Sequence, residues 1–164
     1  MRKILIALGM TIITLSAFAQ FEGTFGMGGH AKYNAIENDV GAGIHLHYYT
    51  TNNLRVAPAF TYYYSQKKNQ HWEAEANLHY IVPVSVTASL YPLAGLSFTY
   101  REQPKEGRTD GESVKVPSNR FGACLGVGIQ HDIRYRVRAN FELSYQFVKD
   151  FSHVSFMAGI GFWF

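Results

Sequence analysis

From Phe21 onward the sequence alternates with a period of two, segment after segment. Phe21, Phe25, Met27, Ala31 and Tyr33 share one face of the first segment, and Glu22, Thr24, His30 and Lys32 the other. The same alternation runs through 40–49, 54–65, 72–80, 86–101, 121–130, 135–147 and 153–164. It predicts eight β-strands, each at least nine residues long. Strands in soluble domains average about five or six residues, whereas a tilted strand crossing a bilayer needs about 9–11. One face is rich in large apolar side chains. The other mixes polar and charged residues with Gly, Ala, Ser and Thr, as the inside of a narrow barrel requires.

The punctuation agrees with this reading. Thr51-Asn52-Asn53, Val82-Pro83-Val84 and His131-Asp132-Ile133 are predicted as tight turns at one end. The connections at the other end are 34–39, 66–70, 103–118 and 149–152; the third, sixteen residues long and strongly polar, is the only long one. Aromatic residues gather at segment ends (Tyr48-Tyr49, Tyr62-Tyr63-Tyr64, Trp72, Tyr100, Tyr135, Phe162-Trp163-Phe164), the signature of two interfacial girdles. Pro58 and Pro92 fall inside strands and lack a ladder donor, so each predicts a bulge or an irregular pair.

Composition sharpens the picture. Residues 1–19 carry Arg2 and Lys3, an apolar run from Ile4 to Leu15, and the small-x-small triplet Ala17-Phe18-Ala19. This is the pattern of a secretory signal peptide cleaved between Ala19 and Gln20, leaving one domain over 20–164. Removing Arg2 and Lys3 takes 15 Lys and Arg to 13, against 12 Asp and Glu, so the remainder carries a net charge of only +1. That balance, with no basic run, argues against nucleic acid as a partner. Cys124 is the only cysteine, so no intramolecular disulfide holds the domain.

Three stretches carry a resemblance: Leu90-Tyr-Pro-Leu-Ala-Gly-Leu-Ser-Phe98, Arg120-Phe-Gly-Ala-Cys-Leu-Gly-Val-Gly128 and Gly159-Ile-Gly-Phe-Trp-Phe164. With them the whole mature chain resembles the small OmpA/OmpX-like outer-membrane barrels, the "outer membrane protein beta-barrel domain" proteins often labelled porin family. The resemblance implies an integral protein of the bacterial outer membrane with both termini periplasmic. It implies that Ile160, Phe162 and Phe164 form the C-terminal signal read by the outer-membrane assembly machinery. The expected partners are outer-membrane lipid and, during biogenesis, that machinery and periplasmic chaperones; a monomer is expected. The fold by itself names no activity.

The inward face carries many charges. Glu22, Arg55, Arg134, Arg136 and Arg138 are expected near the periplasmic end, Glu142 midway, and Lys32, Glu73, Glu75, Arg101 and Arg120 towards the outside. Unpaired charges in a narrow lumen are costly, so these predict a salt-bridge and hydrogen-bond network that fills the barrel. His30, His45, His47 and His79 also point inward. Two strands apart is about 10 Å across a sheet, too far to share a metal, which makes them hydrogen-bonded lumenal groups. His153-Val154-Ser155 resembles the His-x-Ser part of the outer-membrane lipid A deacylases, in which the pair faces lipid and a Glu follows. Here both fall on the lumenal face and no acid follows. No phosphate loop, dinucleotide motif or zinc spacing is present. The sequence therefore predicts no catalytic site, cofactor or metal, and a structural or surface-interaction role. The alternatives are a narrow porin-like channel and, less favoured, a lipid A-modifying enzyme. The loop 103–118 is expected to be solvated and a possible place for a partner to bind.

Overall fold

A computed structural model describes residues 22–64, 71–105, 114–149 and 152–164. The proposed leader and the Ala19–Gln20 junction lie outside the described residues. The strands are β1 Phe25–Asn34, β2 Asp39–Tyr49, β3 Leu54–Tyr64, β4 His71–Tyr80, β5 Val82–Pro83, β6 Ala88–Lys105, β7 Val114–Arg134, β8 Val137–Val148 and β9 His153–Trp163. Except for β4 and β5, neighbours in sequence are neighbours in the sheet, and pairings of β1 with β9 and of β4 with β6 close it. β5 continues β4 along β6 in one register, since Leu78 faces Ala94 and Val82 faces Leu90. The wall is thus an eight-stranded antiparallel up-and-down barrel, as the alternation predicted. Closure leaves no free edge in the wall, the condition for a β-structure in hydrocarbon.

The period of two sets what each face meets, and the sense is the reverse of a water-soluble core. Ile44 is 64% exposed while His45, next along β2, is 2% exposed. Among the largest fully buried side chains are Arg55, His71, His79, Gln130, Gln146 and Glu73; Phe60, Leu96, Phe121, Leu125, Phe141 and Ile160 face outward. Apolar outside and polar inside is the pattern of a wall surrounded by lipid.

Several boundaries differ from the sequence reading. β1 starts at Phe25, because Glu22 and Gly23 form a turn with Gly23 at φ 79°. The β5–β6 turn lies at 84–87, one step beyond the predicted one. There Ser85 Oγ accepts from the Ala88 N–H at 3.0 Å and fixes the reversal. The β7–β8 turn is Tyr135-Arg136, where His131-Asp132-Ile133 was expected. The register shifts between Asp132 and Arg134, a bulge that carries β7 past the expected turn. The described ends of the predicted long loop, 103–105 and 114–118, are strand. β6 and β7 stay paired out to Lys105 and Val114, because extended backbone paired with a neighbour needs no apolar face.

Neither proline makes a bulge. The β2–β3 ladder lacks pairs at Pro58 and resumes in register, with His45 facing Ala59 and Tyr48 facing Val56. The ladder between β6 and β4 is likewise interrupted at Pro92, which separates β5 from β4. Each missing N–H removes a local bond without shifting the strands. The girdles are also smaller than expected. Tyr49, Tyr63 and Trp163 point inward and are at most 5% exposed, because each follows the parity of its strand.

Candidate functional site

The polar lumen is the candidate site, and it is built in two storeys. In the outer storey Lys32 on β1 meets Glu73 and Glu75 on β4. Lys32 Nζ donates to Glu75 Oε2 at 2.7 Å and to Glu73 Oε1 at 3.3 Å. From the far wall, Gln146 on β8 donates through Nε2 to Glu75 Oε1 at 2.7 Å and also to Glu73. The Tyr63 hydroxyl donates to Glu73 Oε2 at 2.9 Å. All five residues are buried. Two carboxylates around one ammonium, each with further donors, compensate most of the cost of desolvation.

The inner storey is organised around Arg55 on β3, which is fully buried. Its Nη1 donates to Gln130 Oε1 at 2.7 Å, and its Nη2 and Nε donate to His79 Nδ1 at 2.7 and 3.2 Å. Arginine only donates, so His79 Nδ1 accepts and the ring is the neutral Nε2–H tautomer. The guanidinium carbon lies 4.8 Å from the Tyr91 ring, 5.6 Å from Tyr49 and 5.9 Å from Trp163. Tyr91 stacks on His79 at 4.8 Å and donates its hydroxyl to Glu142 Oε1 at 2.8 Å. Neutral acceptors and aromatic faces hold this cation.

Between the storeys the histidines form a column. Ring centroids are 5.6 Å apart for His30 and His45, 4.7 Å for His45 and His47, and 5.9 Å for His47 and His79. The last pair bridges β2 and β4, so strand spacing overestimated its separation. Spacing measures the wall, whereas side chains converge on the axis. His30 Nε2 lies 2.8 Å from Thr61 Oγ1, and His30 Nδ1 lies 3.4 Å from His45 Nδ1. Glycine makes the room. A Cβ on Gly43 would stand 2.7 Å from His30 Nε2, and one on Gly28 would stand 2.7 Å from His45 Nε2.

The remaining charged residues divide between rims and outside. Glu22 and Arg134 are exposed, and Arg136 lies in the β7–β8 turn against the Tyr135 ring, so these three do not join the lumenal network. The turn shift is the reason for Arg136. Arg120 sits half-buried beyond the last β7–β8 pair, where its Nη1 donates to Asn119 O at 3.2 Å. Arg138 pairs with Asp132 at 2.5 Å and lies 4.3 Å over Trp163 at the inner mouth. Arg101 pairs with Glu37 at the outer mouth. Glu37, Tyr63, Tyr91, Gln130 and Gln146 were missed as members of these clusters. Except for Glu37, which lies in a turn, inward parity marks them all.

His153 and Ser155 are buried in the lumen, with Ser155 Oγ 2.9 Å from Ser144 Oγ. The pair is turned away from lipid, and the enzyme reading finds no support. Ile160, Phe162 and Phe164 face outward, and the Phe164 N–H donates to Phe25 O at 2.8 Å.

Solved structures share this architecture. The N-terminal β-barrel domain of Pseudomonas aeruginosa OprF superposes with a TM-score of 0.72 at 15% identity, over 87% of this chain and 98% of that one. Neisserial surface protein A gives 0.66 at 16% identity, over 86% and 97%. Ail, the attachment invasion locus protein of Yersinia pestis, gives 0.63 at 15% identity, over 87% and 99%. At these identities the likeness concerns fold alone. No curated protein matches the sequence. The family model for the outer membrane protein beta-barrel domain matches residues 5–164. The match spans the whole barrel, and the chain belongs to the outer membrane protein β-barrel domain family, whose members are integral to the bacterial outer membrane.

Proposed function

We propose that this protein is a scaffold of the outer membrane with a plugged lumen, and that its contacts with other molecules are made at the outer end. The observation that carries this reading is the pair of storeys, in which Lys32, Glu73, Glu75 and Gln146, then Arg55, His79 and Gln130, tie opposite walls together across the axis. A solute cannot pass without breaking both. In planar bilayers the refolded protein is expected to give no conductance steps, and steps of reproducible size would make it a channel.

The β6–β7 ribbon supports the second half of the proposal. β7 pairs with β8 only from Gly122 inward, and β4 stops pairing with β6 at Arg101. Beyond these points β6 and β7 continue as a two-stranded ribbon to Lys105 and Val114. This ribbon is extended backbone outside the wall, the kind of surface on which an extended segment adds as a further strand. In this reading both termini and the three tight turns are periplasmic. Residues 1–19 are a leader removed after Ala19, and the 20–164 barrel is assembled with chaperones and machinery that read Ile160, Phe162 and Phe164. An Asp110→Cys variant in intact cells is expected to react with a membrane-impermeant maleimide. Labelling only after lysis would reverse the orientation. The purified protein should start at Gln20, and deletion of Phe164 should lower outer-membrane levels.

A further inference from the structure

A third polar cluster lies at the outer mouth, adjoining the outer storey through Tyr63. Glu37 belongs to the β1–β2 turn, Asp39 opens β2, His71 opens β4, and Arg101 on β6 faces His71 in the ladder. One ligand atom from each of Glu37, Asp39 and His71 lies within 4.8 Å of the other two. His71 is 2% exposed and is held by stacking on Tyr63, with ring centroids 4.3 Å apart and planes 15° apart. Asp39 is 9% exposed, and its Oδ2 stands 3.7 Å from His71 Nδ1, beyond hydrogen-bond reach.

Arg101 covers the same atoms. It pairs with Glu37, and its Nη2 lies 3.2 Å from His71 Nδ1. A guanidinium only donates, so His71 Nδ1 presents its lone pair to the cluster. Asp39 Oδ2 and His71 Nδ1 are then two acceptors facing each other. In this cluster two carboxylates stand against one guanidinium. Arg101 is engaged by Glu37, and the buried carboxylate of Asp39 calls for a cation of its own.

We propose that Glu37, Asp39 and His71 form a binding site for a divalent first-row transition-metal ion drawn from the external solution, with Arg101 holding its place until it arrives. An ion of charge +2 neutralises both carboxylates, and the Arg101 side chain swings away as it binds. Ligands on a tetrahedral ion with bonds of about 2.0–2.2 Å stand roughly 3.3–3.6 Å apart. Asp39 and His71 already stand near that separation, and the half-buried Glu37 closes the set from its turn. One imidazole with two carboxylates selects zinc-like ions over calcium and magnesium, which take oxygen donors. The site goes beyond the scaffold role, and only its access to the external solution rests on the orientation proposed above.

Zn2+ titration by calorimetry of the full barrel refolded in detergent tests this, with heat-dependent gel mobility as the check that each variant has folded. The wild type is expected to bind one Zn2+ with little response to Ca2+. Asp39→Asn and His71→Phe, the latter keeping a ring against Tyr63, should each weaken binding at least tenfold. Arg101→Gln, which removes the competing cation, should tighten it about tenfold. Three results would each overturn the proposal: no binding by wild type or Arg101→Gln, binding that survives both ligand substitutions, or equal affinity for Ca2+. Binding that survives would place the metal on other lumenal groups, such as the histidine column.

Discussion

The two storeys of the lumen bury a cation in different ways. Lys32 sits among opposite charges, with two carboxylates close to its ammonium. Arg55 sits among neutral groups, a glutamine oxygen, an imidazole nitrogen and three aromatic rings. The side chains explain the division. An ammonium is compact and strongly hydrated, so it demands anions in exchange for water. A guanidinium is planar and weakly hydrated, so its edge donates in fixed directions while its faces stack. The outer storey is therefore vulnerable to loss of charge, and the inner one to loss of shape.

The largest expected effect follows from that vulnerability. Lys32→Met strands Glu73 and Glu75 in the lumen and should cost about 3–5 kcal/mol of stability, as breaking a buried ion pair does. Urea unfolding from lipid vesicles, followed by tryptophan fluorescence, measures it. Adding Glu73→Gln and Glu75→Gln to that variant should restore most of the loss, and no recovery would mean that packing, not charge, holds the outer storey. Arg55→Met should cost less, about 2–3 kcal/mol, since the acceptors it leaves on Gln130 and His79 are neutral. A loss larger than that of Lys32→Met would invert the comparison. Arg55→Lys keeps the charge and removes the fork, and about 1–2 kcal/mol should be lost in the same assay. Full stability in that variant would show that charge alone suffices in the inner storey. The smallest change is expected for Arg138→Gln at the inner mouth, where a partly exposed pair and one ring face are worth about 0.5–1 kcal/mol.

Parity along the chain predicted the inward placement of Lys32, Arg55, Glu73, Glu75 and Glu142, because strand alternation is local and a bilayer enforces it on every strand. It also marked His153 and Ser155 as lumenal. Arg136 shows where the reading failed. A single bulge between Asp132 and Arg134 moved the turn, and bulges depend on the partner strand as much as on the residues themselves. The ribbon beyond Arg101 and Gly122 escaped for a related reason, since pairing between β6 and β7 outside the barrel depends on the partner strand, not on an apolar face.

The sequence by itself determined the number of strands, their alternating faces and the chemical character of each face, since all three follow from a period of two repeated over bilayer-length segments. Only the tertiary structure decided which inward residues meet. Lys32 and Glu75 lie on strands three apart in the wall, and Arg55 and Gln130 are also three apart. Closure turns those separations along the sheet into contacts across the axis. No local pattern records them, because they depend on the curvature of the whole sheet and on how far each side chain reaches into a narrow lumen.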